Sequence, residues 1–440
     1  MNTRARLSGA LALTTALLIG TLSAPAYAAT VGSSPARTWQ TVGSLNAKGR
    51  NVAGQVMTVA YGRRASRRLV FLGGNFTRMR PPRGSTASSV RRLHLAALTV
   101  RRGRLVKTWH VAVRFHGSAK NATVQTVALS GDGTILYVGG RFDSIGGKRR
   151  SNVAALSATS GRVLGWHPSP NGRVHALTVS GRSRVYLGGT FTAVNGHRRL
   201  HVAAVTRRGH LVTKWHPSIQ QVGGACPPRC APDVHAIALS HDRSTVYLGG
   251  TFGLVNGVPR NSTAAVRAGT GHLTKWNPSI FSSGARGSLN TVHHMVRVGG
   301  TMYLCGDFWQ LNYPRATFVS PNLAAVTTGS GDAISSFNAA TDGSVNSCAV
   351  HKRLGALFLG GHFDHVGTRN AVRSKTAPIR HHMAAVKLGS GGLLAWAPDA
   401  NSVPGAYAVA AQKRHIAYGG EFTTVNGRAQ AGFAQFRVRL

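Results

Sequence analysis

Three histidines, His175, His235 and His293, stand near the start of three successive apolar segments, at equivalent places. Imidazoles presented side by side suit ligand binding, metal coordination or proton transfer near neutral pH. Gln55, Gln125, Asn346 and Tyr407 take the same place in the other segments, so the expected ligand-binding set of seven is polar throughout. Catalysis by His175, His235 and His293 is the alternative. A metal is not expected, because neighbouring strands hold such positions several ångströms apart while coordination needs bonds of about 2 Å. Backbone groups of the adjoining turns are the other natural partners for these side chains.

The second chemistry is charge. The chain of 440 residues carries 53 Lys and Arg against 10 Asp and Glu, a formal net charge of +43. Such a chain is drawn to polyanions: a wall polymer, an acidic glycan or a nucleic acid, bound without sequence specificity. Arg78, Arg80, Arg83, Arg91, Arg92, Arg149, Arg150, Arg198, Arg199, Arg369, Arg373 and Arg380 fall in connections expected on one rim. Their forked guanidinium groups suit phosphate, sulfate or carboxylate. Other arginine pairs, such as Arg63-Arg64 and Arg207-Arg208, project to the opposite end, so a merely solvated rim fits too.

Few acids remain for catalysis. Glycoside hydrolysis needs two facing carboxylates, and no G-x-S-x-G, H-E-x-x-H or phosphate-binding glycine loop is present. Asp307, His362 and Glu421 recur at one repeat position but belong to different sheets, where neutralising arginine is the expected role. The sequence therefore reads as a binder without a cofactor. A lyase or hydrolase with a histidine-lined site is the runner-up, and a partner-binding scaffold, for instance for an envelope protein, the third reading.

These groups must be held by something, and the scaffold is written in repeats. An apolar strand ends in Gly-Gly, one variable residue and Phe at Gly73, Gly139, Gly188, Gly249, Gly360 and Gly419, with Cys305 in place of the first glycine once. That interval suits one small antiparallel sheet per copy. The expectation is an all-β, seven-bladed β-propeller of four-stranded antiparallel blades spanning 29–440 as one domain. The double glycine is expected to let adjacent blades approach closely. A tryptophan marks the fourth strand at Trp109, Trp166, Trp215, Trp276 and Trp396. The seventh copy lacks that strand, and Ala36-Arg37-Thr38-Trp39 matches it, so the N-terminal strand is expected to complete the last blade.

The Gly-Gly-x-Phe core, followed by Val-Asn-Gly at 194–196, 255–257 and 425–427, resembles the delta-sixty propeller repeats of secreted actinobacterial proteins, broadly kelch-like. The resemblance spans roughly 36–440 and implies the fold; it carries no catalytic motif. Residues 1–28 fit a signal peptide, with Arg4 and Arg6 before an apolar stretch and Ala26-Tyr27-Ala28 for cleavage. Secretion, to the medium or cell wall, is expected, as a monomer without a membrane span. In that setting Cys226 with Cys230, and Cys305 with Cys348, are expected to form disulfides.

Overall fold

A computed structural model describes residues 30–45, 51–181, 183–221, 231–281, 290–312, 318–402 and 404–439. The expected signal segment and the pair Cys226 and Cys230 lie outside the described residues. Short β-branched segments punctuated by Gly and Asn give an all-β chain of antiparallel sheets. In the third repeat Val174–Ser180 pairs with Arg184–Gly189, which pairs with Val202–Thr206. Among the described residues this three-stranded sheet recurs seven times. Each first strand packs against the first strand of the next repeat, and Ala406–Gln412 packs against Val56–Tyr61.

The expected fourth strand shrinks to one bridge per repeat, such as Val205 with Leu211 and Val266 with Leu273. In the seventh sheet Ala36 N donates to Gln435 O at 2.7 Å, as Val212 N does to Ala204 O in the third, and a further short strand adds upstream. Thr30 pairs with Arg439 and Val31 with Val438, upstream of Ala36–Trp39. The chain after Trp39 then runs to the first repeat, where Gln40–Val42 pairs with Arg78–Arg80, as Val113–Arg114 after Trp109 pairs with Ser144–Ile145.

The two glycines do different work. A Cβ on the first would meet the next repeat: Gly73 lies against Val124, Gly188 against Val234 and Gly419 against Val56, each with under 3 Å to spare. A Cβ on the second would strike the first strand of its own sheet, at the carbonyl of Gln55 for Gly74 and of Asp233 for Gly250. Only the first glycine therefore serves inter-sheet approach as expected. Where Cys305 replaces it, the thiol bonds to Cys348 of the next repeat, with Cα atoms 6.6 Å apart. Cys348 sits where Ile237 and Val409 press on Gly188 and Gly360, so the disulfide takes the place of that packing contact.

The repeat phenylalanine anchors the third strand. Its carbonyl accepts from a residue held at positive φ, as Phe76 does from His94 and Phe191 from His201. Phe191 is fully buried, which contributes roughly 2–3 kcal/mol. The fourth-segment tryptophans tie one repeat to the next, Trp166 Nε1 donating to Thr206 O and Trp215 Nε1 to Arg267 O. These two pack edge-on against second-strand aromatics, Trp166 on Tyr137 and Trp215 on Tyr186. The apolar core is thus divided into clusters between neighbouring sheets, one of which joins Val56 and Phe76 to Ala408 and Phe433.

Candidate functional site

Every first strand carries a β-bulge at the end that faces the Gly-Gly pair. In the third repeat Val174 pairs with Gly189 and Ala176 with Gly188, leaving His175 without a register partner. A bulge bends the strand and re-aims its extra side chain. The bulged residues are Gln125, His175, His235, His293, Asn346 and Tyr407, and all six line one central cavity of about 550 Å³. In the first repeat the bulge is Met57, between Val56 and Thr58. Gln55 therefore lies two positions from the place assigned by sequence matching. It belongs to a tier above, where Asn75 Nδ2 donates to Gln55 Oε1 at 2.7 Å and Gln55 Nε2 donates to Glu421.

The three histidines come together rather than turning to backbone groups. His175 and His235 stack with centroids 5.0 Å apart and planes 9° apart, and His293 meets His235 edge-on at 5.7 Å. Asp233, two residues before His235, completes the group. Its Oδ2 lies 2.7 Å from His175 Nδ1 and 3.4 Å from His235 Nε2. The His175 contact is close but lacks hydrogen-bond alignment, and Asp233 Oδ1, the oxygen turned away from it, is likewise buried without a hydrogen-bond partner. Burial alone would raise the Asp233 carboxyl, but the His175 contact and, when those rings are protonated, the charges of His235, His175 and His201 outweigh it and hold the group below its usual range. Burial lowers His235, against the pull of Asp233. It brings His293 down to about 3, with His235 adding to the effect. Near neutral pH His235 and His293 therefore present uncharged imidazoles beside an aspartate anion.

Asp233 was not singled out by sequence, although it is the one acid in the first strands. Arg173 also lines the cavity, with its Nε buried and without a hydrogen-bond partner. On the far side of the mouth burial and the neighbouring Glu421 push Tyr407 up to about 12. Glu421 thus engages Gln55 and Tyr407, where an arginine partner was expected. Asp307 is raised by burial, while His362 is exposed and near His382, with centroids 6.3 Å apart.

The arginines divide into two classes. Arg92, Arg150, Arg199 and Arg380 recur just before the third strand, and each guanidinium donates to two backbone carbonyls. Arg199 reaches Arg198 O at 2.7 Å and Thr213 O at 3.2 Å; Arg150 reaches Arg149 O at 2.7 Å and Leu164 O at 2.9 Å. Arg92 and Arg380 do the same with Lys107 and Leu394. Arg369 donates to Asn338 and Ser335 and lies over the Phe318 ring. These five brace the protein itself. Arg78, Arg80, Arg83, Arg91, Arg149, Arg198 and Arg373 are exposed, Arg80 with a bond to Gln40.

Arg149 and Arg198 sit on short hairpins, Ser144–Ile145 with Lys148–Arg149 and Ala193–Val194 with His197–Arg198. Asn195 and Gly196 both take positive φ there, the turn that Asn-Gly favours. Asn195 Oδ1 also accepts from Ser169 N at 2.8 Å, and Asn256 accepts from Ser218 at the same distance. The hairpins follow the second strand, whose end pairs beside the bulge, so they share the cavity's mouth end.

No family model matches the chain, and neither does any curated protein. Solved structures do. A chain of a mitotic checkpoint complex aligns over 99% of this chain and 99% of its own, at 11% identity and a TM-score of 0.51. The β-propeller domain of Myceliophteria thermophila Cps50 (Swd1) covers 91% of this chain and 100% of its own, at 11% identity and a TM-score of 0.48. The fold is a β-propeller; likeness at this identity says nothing of activity. Among the described residues no helix is long and apolar enough to cross a membrane.

Proposed function

We propose that this chain is a secreted, seven-bladed β-propeller of the delta-sixty kind that binds anionic polymers at the face where its central cavity opens. The N-terminal strand closes the ring in this reading, supported by the Thr30–Arg439 pairing and by Gly419 against Val56. The observation that carries the binding reading is the shared end of cavity and hairpins. Exposed Arg149 and Arg198 lie at the same end of their sheets as the bulges that bring Gln125, His175, His235 and His293 into the cavity. A net charge of +43 draws the polymer in, and the mouth offers polar groups to one acidic residue of it. Wall polymer, acidic glycan and nucleic acid share that chemistry, and the protein acts as a monomer without a cofactor of its own for this step.

The test is binding to immobilised heparin, polyglutamate and duplex DNA across a salt series. Steep salt dependence is expected for all three, and the Arg149→Ser/Arg198→Ser variant should show a shallower slope by about 1 to 2. Elution at low salt, or a slope unchanged in the variant, contradicts the proposal.

A second reading is favoured by Asp233 beside His175 with His293 at hand: a lyase or hydrolase acting on an acidic polymer. Turnover of such a polymer, lost when His175, His235 and His293 are changed to Ala, would select it. Polyanion binding that survives the triple change, without turnover in the parent, selects the binder.

A further inference from the structure

We propose that His175, Asp233 and His235 bind a divalent first-row transition-metal ion at the mouth of the central cavity. The inference rests on reading this mouth as the working end of the molecule, but it needs no polymer. One candidate ligand atom from each residue falls within 4.8 Å of the others, and Asp233 Oδ2 lies 2.7 Å from His175 Nδ1 and 3.4 Å from His235 Nε2. Side chains of His175 and Asp233 are 13% and 12% exposed, so the group is held by the fold rather than adrift on the surface.

The strongest argument is the contact of His175 with Asp233. An imidazole nitrogen and a carboxylate oxygen stand 2.7 Å apart without the alignment of a donated proton. An imidazole nitrogen and a carboxylate at that distance must share a cation, either a proton or a metal ion, and the missing alignment favours the metal ion. His235 Nε2 approaches the same oxygen at 3.4 Å. That is about the edge of a tetrahedron built on bonds of ~2.1 Å. The second carboxylate oxygen is buried without a hydrogen-bond partner, an arrangement that costs free energy unless something is bound. An ion held by both carboxylate oxygens and His175 Nδ1 would satisfy both orphaned atoms at once.

The donor set selects the ion. Two imidazoles and one carboxylate suit zinc or a neighbouring first-row metal, whereas calcium and magnesium prefer oxygen shells. Three protein ligands leave one or more positions open, and these face the cavity, where His293 or an oxygen of an acidic ligand completes the shell. The stacked rings require one adjustment. One imidazole must turn about χ2 so that both lone pairs point at a single ion, and the His175–Asp233 edge must widen by several tenths of an ångström.

The experiment is calorimetric titration of the chelator-stripped full chain with zinc at pH 7.5, with cobalt as a spectroscopic probe. One equivalent at micromolar affinity or tighter is expected, with visible cobalt bands for a four- or five-coordinate nitrogen and oxygen shell. His175→Ala and Asp233→Asn should each weaken zinc at least 30-fold while circular dichroism and metal-free melting show a folded chain. His365→Ala removes an exposed His–Asp pair of the same 2.7 Å length and should leave the tight equivalent intact. Equal affinity in parent, His175→Ala and Asp233→Asn, or only weak uptake spread over surface histidines, overturns the site. Heparin affinity of the stripped chain reports separately on the polymer-binding reading.

Discussion

Gly188 lies against Val234 of the following repeat so closely that a Cβ on the glycine would stand 2.7 Å from the valine's Cγ1. That gap is too small for a methyl group, and Ile237 Cδ1 at 3.1 Å closes the other side. Gly188→Ala should therefore destabilise the fold by about 1–3 kcal/mol, read as a shifted urea midpoint. Val234→Ala in the same chain should recover part of the loss. Gly165, with nothing within 4 Å of its added Cβ, should accept Ala with little change.

The single disulfide among the described residues offers a cleaner comparison. Joining Cys305 and Cys348 across 43 residues limits the unfolded chain by about 4 kcal/mol in the loop-entropy account. A Cys305→Ser/Cys348→Ser chain should lose much of that and leave polar groups in a buried slot. Cys305→Gly/Cys348→Ile instead restores the pairing that Gly188 makes with Ile237. Denaturant unfolding should place this second variant between the parent and the double serine. A ranking with the serine variant above it would refute the equivalence of disulfide and packing contact.

Two neighbouring arginines should separate stability from binding. Arg199 is buried and donates to two carbonyls, so Arg199→Ala leaves acceptors unpaired and should cost about 2–3 kcal/mol. Arg198 is exposed on its hairpin. Arg198→Ser should leave stability within about 0.5 kcal/mol while lowering the salt slope for heparin by about 1.

Acid should weaken the protein through buried imidazoles. Burial brings His294 down to about 4, below the ordinary value near 6.5. The unfolded chain thus takes up a proton between these values that the folded chain refuses. Stability from this group is intact above pH 6.5 and declines as pH falls toward 4. Between pH 7.5 and 5 the loss is about 2 kcal/mol for this one group. Thr occupies the corresponding place in two other repeats, at Thr58 and Thr126. His294→Thr should flatten the pH dependence of the urea midpoint over that range, and an unchanged slope would contradict the assignment.

What could be read from the chain, and what could not, follows from how local each signal is. Gly-Gly-x-Phe and the spaced tryptophans are short-range marks repeated many times, and they gave the propeller. Met57 shows the opposite case. A bulge adds one residue without any compositional mark, so matching Gln55 to Gln125 by polarity missed the register set by Val56 and Val124. Asp233 was overlooked because its meaning depends on His175, one blade away. Arg199 and Arg198 look alike in sequence, and only burial shows that one braces the strand connection while the other faces solvent. Ala36–Trp39 was legible because it copies a fourth segment, whereas the further pairing of Thr30 and Val31 is two residues long and carries no pattern of its own.

The central claim is that anionic polymer lies across the cavity-mouth end of the molecule. Hydrogen–deuterium exchange with and without heparin tests it most directly. Slower exchange is predicted in the hairpins at 144–149 and 193–198 and in the bulges around His175 and His235. Protection confined to the opposite turns, at 130–134 and 240–244, would contradict it.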